Sequence, residues 1–285
     1  MKKVFLSTLA LTFGAIGFAQ IGNIGTVTQT GNENAGIVNQ SGDANTATIT
    51  SEGNRFKNNI TKYGNWRTAG ASGTMMAKGV TQTGDGNTGT ISQVGYSGVT
   101  SGTGSAGVGQ LGNSNKAIIT QTNVLAHAWS SQNQAFVDQI GDLNESVQYQ
   151  TGRAGTSYFR QAGNDNYAES QQASQSSAKL EQEGNRNNSV QIQGAENGQK
   201  SDTYQLGNDN LATSNQSGGL SNESTILQDG DTNIAGVTQF GATNKGYVTQ
   251  TGDYNTGTIS SNGTNHLGTI TQIGGLNEAI ITQNQ

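Results

Sequence analysis

The sequence has no cysteine and no proline, carries only 12% charged residues, and is poor in large apolar side chains: Leu, Ile, Val and Phe number 51 of 285, about 18%. Without cysteine there are no disulfides and no thiolate metal sites. So few large apolar residues leave too little material for the core of a conventional enzyme domain. Disorder is the usual consequence of such a composition, but it normally comes with high net charge and proline. Here the net charge is −5 and proline is absent, so backbone pairing rather than apolar burial has to order the chain. The acidic balance also provides no basic field for nucleic acid.

Met1, Lys2 and Lys3 precede an apolar run from Val4 to Phe18, and Gly17 and Ala19 are small residues at the −3 and −1 positions before Gln20. This pattern predicts a secretory signal peptide over residues 1–19 and a mature chain from Gln20 to Gln285. The run is too short for a membrane anchor, and no later stretch reaches the roughly 20 apolar residues a spanning helix needs.

In the rest of the chain one phrase recurs: Asn-x-(Ala/Gly)-x-(Ile/Val)-x-Gln-x-Gly-x-x-Asn. Clear copies are Asn34-Gly36-Val38-Gln40, Asn115-Ala117-Ile119-Gln121, Asn133-Ala135-Val137-Gln139, Asn233-Ala235-Val237-Gln239 and Asn277-Ala279-Ile281-Gln283. A spacing of two is the strand period, so these side chains share one face, and the Gly-x-x between phrases is a turn. The final slot of each phrase falls at 29, 40, 51, 62, 82, 93, 110, 121, 139, 150, 161, 172, 182, 193, 205, 216, 228, 239, 250, 261, 272 and 283, which predicts twenty-two arms. Gln fills every slot except Ser51, Lys62 and Ser261.

Counted this way, each step from an odd arm to the next even arm is eleven residues, and all variation falls on the even-to-odd steps. Gly stands two places after every odd slot, at Gly31, Gly53, Gly84, Gly112, Gly141, Gly163, Gly184, Gly207, Gly230, Gly252 and Gly274. Both asymmetries predict a flattened coil of two arms and nominally 22 residues, with fixed arcs on one edge and variable arcs on the other. The expected fold is all-β: a β-solenoid of about eleven coils, roughly 50 Å long, with two parallel in-register sheets. Irregular or long arcs are expected near 63–78, 95–104 and 123–132, after Lys62, Gln93 and Gln121. Phe56, Lys62, Met76 and Lys78 break the pattern around the first of these.

Stacking such coils places like amides one strand spacing apart, so that they form hydrogen-bonded ladders. The expected rungs are Asn45, Asn87, Asn115, Asn133, Asn144, Asn166, Asn187, Asn210, Asn233 and Asn255, with Gln93, Gln121, Gln139, Gln150, Gln161, Gln172, Gln193, Gln216 and Gln239. A buried amide left unpaired costs about 1–3 kcal/mol, which penalises register slips along the whole stack.

The phrase Gln-x-Gly-x-x-Asn-x-Ala-x-x-x-Gln, complete in Gln110-Gly112-Asn115-Ala117-Gln121, resembles the curlin repeat of curli subunits. The resemblance covers nearly all of the chain after Gln20. It implies a secreted functional amyloid that polymerises at the cell surface into fibres of the biofilm matrix, supporting adhesion and aggregation. In that family the inward Asn and Gln ladders template the next subunit. Carried over, the leading coil offers Asn23, Val27, Gln29, Asn34, Val38 and Gln40. The last coil offers His266, Ile270, Gln272, Asn277, Ala279, Ile281 and Gln283. The implied partners are further copies of the chain, a nucleator subunit and an outer-membrane export apparatus. Enterobacterial curlins carry an export segment between signal and repeats, whereas here Asn23-Ile24-Gly25-Thr26-Val27 already reads as the first arm. Both terminal phrases read as complete, which favours a major, polymerising subunit over a minor nucleator. Uncapped strands at the two ends predict docking of last arms onto first arms, and a head-to-tail contact that does not close gives open fibres. Sparse apolar content predicts a chain that stays disordered until templated.

Asp43, Asp85, Asp142, Asp165, Asp209, Asp231 and Asp253 sit in arcs, but the uninterrupted Gly-Gly-x-Gly-x-Asp of calcium-binding solenoids is missing, so they read as solvated turn residues. His127 and His266 are far apart, so no metal and no cofactor is expected. The pairs Thr26/Thr28, Thr48/Thr50, Thr258/Ser260 and Thr269/Thr271 resemble an ice-binding array. The expected odd sheet, however, interrupts it with Tyr158/Arg160, Lys179/Glu181 and Asp202/Tyr204. Tyr149, Tyr158, Phe159 and Tyr247, read as outer-face residues, suit matrix polysaccharide or serve as ordinary strand formers. Dispersed carboxylates argue against a carbohydrate-active enzyme.

Overall fold

The computed structural model describes residues 22–30, 35–52, 57–58, 63–68, 71–75, 79–94, 105–122, 133–152, 154–173, 175–194 and 198–285. Among these there are only strands and turns, with no helix. Alternating small, β-branched and hydroxyl residues favour the extended backbone, and nearly every arm is a seven-residue strand. Inward positions are buried and outward ones at least partly open, as in Thr88–Val94 and Thr256–Asn262.

The strands form a β-solenoid. The front sheet has eleven parallel strands, beginning with Ile24–Thr30 and ending with Glu278–Asn284. The back sheet contains twelve strand segments, and these make ten arms because two arms are built of two segments each. Successive arms alternate between the sheets. Register is strict throughout: Gln110 lies beside Gln139, and Gln121 beside Gln150.

The count of arms differs from the expected twenty-two. In the back sheet Gln40 pairs directly with Gln82, and in the front sheet Ser51 pairs with Gln93, so no arm fits between. Lys57–Asn58 lies beside Ala35–Gly36, and Gly79–Thr83 beside Val38–Ser41. The arms expected to end at Lys62 and Gln82 are therefore one composite strand, entered at Lys57 and completed from Gly79. The first long insertion interrupts this arm and does not follow Lys62. Within it, Tyr63–Thr68 and Ala71–Met75 form an antiparallel pair outside both sheets. Among the described residues the stack thus has twenty-one arms, or ten and a half coils, still about 50 Å long at 4.8 Å per coil.

This shift reassigns the first arms. With Gln29 and Ser51 in the front sheet and Gln40 and Gln82 in the back, every back-to-front step is eleven residues and all variation lies on front-to-back steps. Phe56, Lys62, Met76, Lys78, His127 and residues 1–21, 95–104 and 123–132 lie outside the described residues.

Apolar side chains fill the interior in three groups: Ala47 to Val137, then Phe159, Ala168, Ala178 and Leu180, then Ala212 to Ile270. Phe159, expected on the outer face, is fully buried, because it occupies the inward position two before Gln161. The front sheet replaces its branched aliphatic residue by Gln148, Ser170, Gln191 and Ser214 in the central coils. The larger Phe159 and Leu180 of the back sheet take up volume opposite them. Gln148 Nε2 donates to the Phe136 carbonyl at 3.0 Å, and Gln191 Nε2 to Thr203 Oγ1 at 2.9 Å.

Candidate assembly surfaces

Three columns of side chains run along the stack, and each arises from one position of the repeat. The first is the glutamine column. In the back sheet it is unbroken from Gln40 to Gln272: each Nε2 donates to the Oε1 of the next coil at 2.8–3.0 Å. In the front sheet the same chain runs from Gln93 to Gln239 at 2.7–3.2 Å. Ser51 and Ser261 flank it, with Oγ donating to Gln93 and Gln283. The other N–H of each amide crosses to a carbonyl of the opposite sheet, as from Gln82 to Thr46 and from Gln250 to Ile234. That cross-link fixes which way the amide faces, so the column is polar: donors point toward the C-terminal end.

The second is the asparagine column on the back-to-front edge: Asn23, Asn45, Asn87, Asn115, Asn144, Asn166, Asn187, Asn210, Asn233, Asn255 and Asn277. Each Oδ1 accepts the backbone N–H of the next member at 2.8–3.1 Å. Each Nδ2 from Asn23 to Asn255 donates to the glycine carbonyl of the following arc at 2.6–2.8 Å. Asn133 belongs to the opposite edge, where it caps Gly155 N–H. Gly155, Ser176 and Gln199 then hold that place until Asn222 and Asn244.

The third column was not read from the sequence. The residue after each arc glycine, from Asp43 through Asp85, Asn113, Asp142, Asn164, Asn185 and Asn208 to Asp231, donates its backbone N–H to the Asn or Asp Oδ1 of the next arc at 2.6–3.0 Å. Asp85, Asp142, Asp231 and Asp253 are thus ladder acceptors as well as turn residues, whereas Asp165 and Asp209 take the next, positive-φ place of their arcs. The column's interchange of Asn and Asp was the available signal, since both offer the same oxygen and only the charge differs.

The arcs explain the glycines. Each back-to-front arc runs Gly, Asn or Asp, a residue with φ between +55° and +67°, then Asn, except that Gly275 takes the second place in the last arc. The structural series is Gly42, Gly84, Gly112, Gly141, Gly163, Gly184, Gly207, Gly230, Gly252 and Gly274. A β-carbon on any of the first nine would collide with the carbonyl of the glycine above. Gly31 and Gly53 come after the front-sheet strands Ile24–Thr30 and Thr46–Glu52 in the sequence and lie outside the described residues; among the described glycines Gly42 takes the first place.

Charged side chains on the outer faces and in the arcs pair between coils. Lys116 bonds Glu145 at 2.6 Å, Arg186 grips Asp209 through Nε and Nη2, and Glu223 lies between Lys200 and Lys245. Burial pushes the Asp138 carboxyl above the usual range, and the neighbouring Arg160 cation pulls it back. Front-sheet Thr26 and Thr48 continue as Thr90, and Thr28 and Thr50 as Ser92, whereas Tyr158/Arg160, Lys179/Glu181 and Asp202/Tyr204 lie in the back sheet. The threonine array is broken in its own sheet by Val147/Tyr149 and Glu169/Gln171. Among the described residues no three His, Cys, Asp or Glu side chains gather as metal ligands, and no helix is long and apolar enough to cross a membrane.

At the two ends the columns stop. At the N-terminal end Val27 and Val38 are half-buried against the first apolar group, Gln29 lies beside Ser51, and Gln40 begins the back column. Asn34 lies outside the described residues. At the C-terminal end Ala279 and Ile281 pack against the last apolar group and remain half-exposed, while Ile270 is buried. Gln272 and Gln283 each donate one N–H to a carbonyl, of Thr256 and Leu267, and have a second in hand. His266 holds the asparagine place of the last back-sheet arm, its backbone N–H donated to Asn244 Oδ1 at 3.0 Å. Ile24–Thr30 and Glu278–Asn284 are the outermost strands of the front sheet.

The family model of the curlin-associated repeat matches residues 22–53 and 219–252, and no curated protein matches the chain. The matched stretches hold the arms ending at Gln29, Gln40 and Ser51 and at Gln228, Gln239 and Gln250, and the arms between them carry the same columns. The chain carries the curlin-associated repeat in both matched stretches.

Proposed function

We propose that the protein is a secreted structural subunit that assembles end to end into curli-like amyloid fibres of an extracellular matrix. The observation that carries this reading is the polarity of the columns. The C-terminal end presents amide donors on Gln272 and Gln283 and the Oδ1 of Asn277. The N-terminal end presents the complementary Oε1 of Gln40 and the outer edge of the first strand. A copy added in the same direction meets acceptors with donors; a reversed copy meets like with like. Both terminal strands keep the register of interior ones, so a further coil adds as each internal coil does.

On this reading residues 1–19 direct export, a surface apparatus and a nucleator serve assembly, and outer-face tyrosines such as Tyr149 and Tyr247 contact matrix polysaccharide. The chain needs no cofactor and performs no catalytic step. The test is assembly from denaturant, followed by thioflavin fluorescence and circular dichroism with and without fragmented fibres as seed. A seed-shortened lag with a coil-to-β change is expected. A soluble monomer that is β from the outset and never forms fibres would overturn the reading. Deleting Gln272 to Gln285 is expected to slow elongation; an unchanged rate would exclude this end as the growing contact.

A further inference from the structure

The described stack opens and closes on the same sheet. Its first arm, Ile24–Thr30, and its last, Glu278–Asn284, both belong to the front sheet, which has one arm more than the back. This half coil constrains how two copies join. If a second copy continued front sheet onto front sheet, its Ile24–Thr30 would pair with Glu278–Asn284. Its back sheet would then begin one strand position too far from Leu267–Ile273, and both facing edges at that position would lack partners.

We infer that each copy in the fibre is rotated by half a turn about the fibre axis relative to the one before, so that front and back sheets exchange at every junction. This rests on the end-to-end assembly proposed above. After a half turn, Ile24–Thr30 of the next copy lies on Leu267–Ile273, and its second arm, ending at Gln40, lies on Glu278–Asn284. The strand directions remain parallel, because rotation about the axis carries a left-to-right front strand onto the right-to-left back.

The inward residues match across both joints. Gly25, Val27 and Gln29 meet Gly268, Ile270 and Gln272; Gly36, Val38 and Gln40 meet Ala279, Ile281 and Gln283. Small residue lies on small, β-branched on β-branched and glutamine on glutamine, as inside the chain. The exchange is possible because front and back arms present the same inward pattern, and it is required because the number of described arms is odd. Two consequences follow. The front-to-back connections alternate from one edge of the fibre to the other, and the axial repeat becomes two subunits, about 100 Å, instead of one.

The chain has no cysteine, so introduced thiols report unambiguously. Thr28, Thr271 and Thr282 are exposed, point outward, and belong to none of the three columns. In register, Thr28 of the added copy lies beside Thr271 after a half turn and beside Thr282 without one. Within one chain these positions are at opposite ends, so any cross-link joins two copies. Fibres of Thr28→Cys/Thr271→Cys and of Thr28→Cys/Thr282→Cys are treated with a short bifunctional thiol reagent, dissolved in denaturant and resolved by size. The first variant is expected to give a ladder of multimers at least about tenfold stronger than the second. The reverse ratio, in fibres that form normally, overturns the half turn and leaves end-to-end growth standing. Absence of fibres, or fibres in which neither pair cross-links, overturns both.

Discussion

Gln161 tests whether the glutamines act as a hydrogen-bonded column or merely as interior filling. Its side chain is fully buried, accepts from Gln139 Nε2 at 2.8 Å, and donates to Gln182 Oε1 at 3.0 Å and to the carbonyls of Asn166 at 3.0 Å and Glu145 at 3.1 Å. Gln161→Leu keeps the size and removes every polar contact. It strands one N–H of Gln139 and the Oε1 of Gln182, at about 1–3 kcal/mol each. The Asn166 carbonyl keeps a backbone partner, the Glu145 N–H at 2.8 Å, and so adds little. Against this, a buried leucine returns about 1.5 kcal/mol of apolar transfer. The balance is a loss of roughly 3 kcal/mol, located between two coils. Solenoids open locally, so native-state hydrogen exchange is the suitable assay. Amides of Gln134–Ile140 and Ser177–Glu183 are expected to exchange about 100-fold faster, since 1.4 kcal/mol is a factor of ten. Gln161→Leu combined with Gln182→Leu should cost less than the sum of the two single changes by about 1–2 kcal/mol, because each removes a partner of the other. Exchange within threefold of the parent in the single variant, or strict additivity in the double, would refute the column as a source of stability.

The arc glycine Gly163 (φ +121°) has no room for a side chain beneath the Gly184 carbonyl, so Gly163→Ala should destabilise by about 3 kcal/mol or more through φ strain and loss of the Gly184 N–H bond to Ala162. Gly236, outward on a strand with its nearest neighbour at 3.4 Å, is the control: Gly236→Ala should stabilise by about 0.5 kcal/mol in denaturant titration. Ser261→Gln should rejoin Gln239 to Gln283 and slow local exchange in the last coils, a gain of about 1 kcal/mol. The raised carboxyl of Asp138 binds its proton more readily folded than unfolded, so its charge penalises the fold as pH rises from the ordinary value of 3.8 through the folded one. Asp138→Asn is therefore expected to gain relative stability at pH 7 over the parent and to lose that advantage below pH about 3.8; an advantage that grew on acidification would contradict the burial argument.

Much of the architecture was legible in the residues. The two-residue spacing of Ala117, Ile119 and Gln121 specifies a strand with one inward face, and the eleven-residue step with Gly-x-x-Asn specifies a stacked arc. These are local properties, set by side-chain alternation and by backbone angles only glycine adopts freely. A third column in the arcs is present in the sequence only as an exchange of Asn with Asp, two residues that differ in charge and share the accepting oxygen.

The sequence by itself determined the repeat, the parallel in-register solenoid and the inward ladders, because each arm carries its own strand and turn signals. Only the tertiary structure decided that the described arms number twenty-one, that Gln40 lies on Gln82, that Gly42 leads the described arc glycines, and that Phe159 points inward. A strand completed from Lys57–Asn58 and Gly79–Thr83 leaves no periodic trace along the chain, since its continuity lies in hydrogen bonds to the neighbouring arms. Which sheet an arm joins is likewise set by pairing with arms about 22 residues or more away, and that pairing is where an odd count, and the half turn inferred from it, becomes visible.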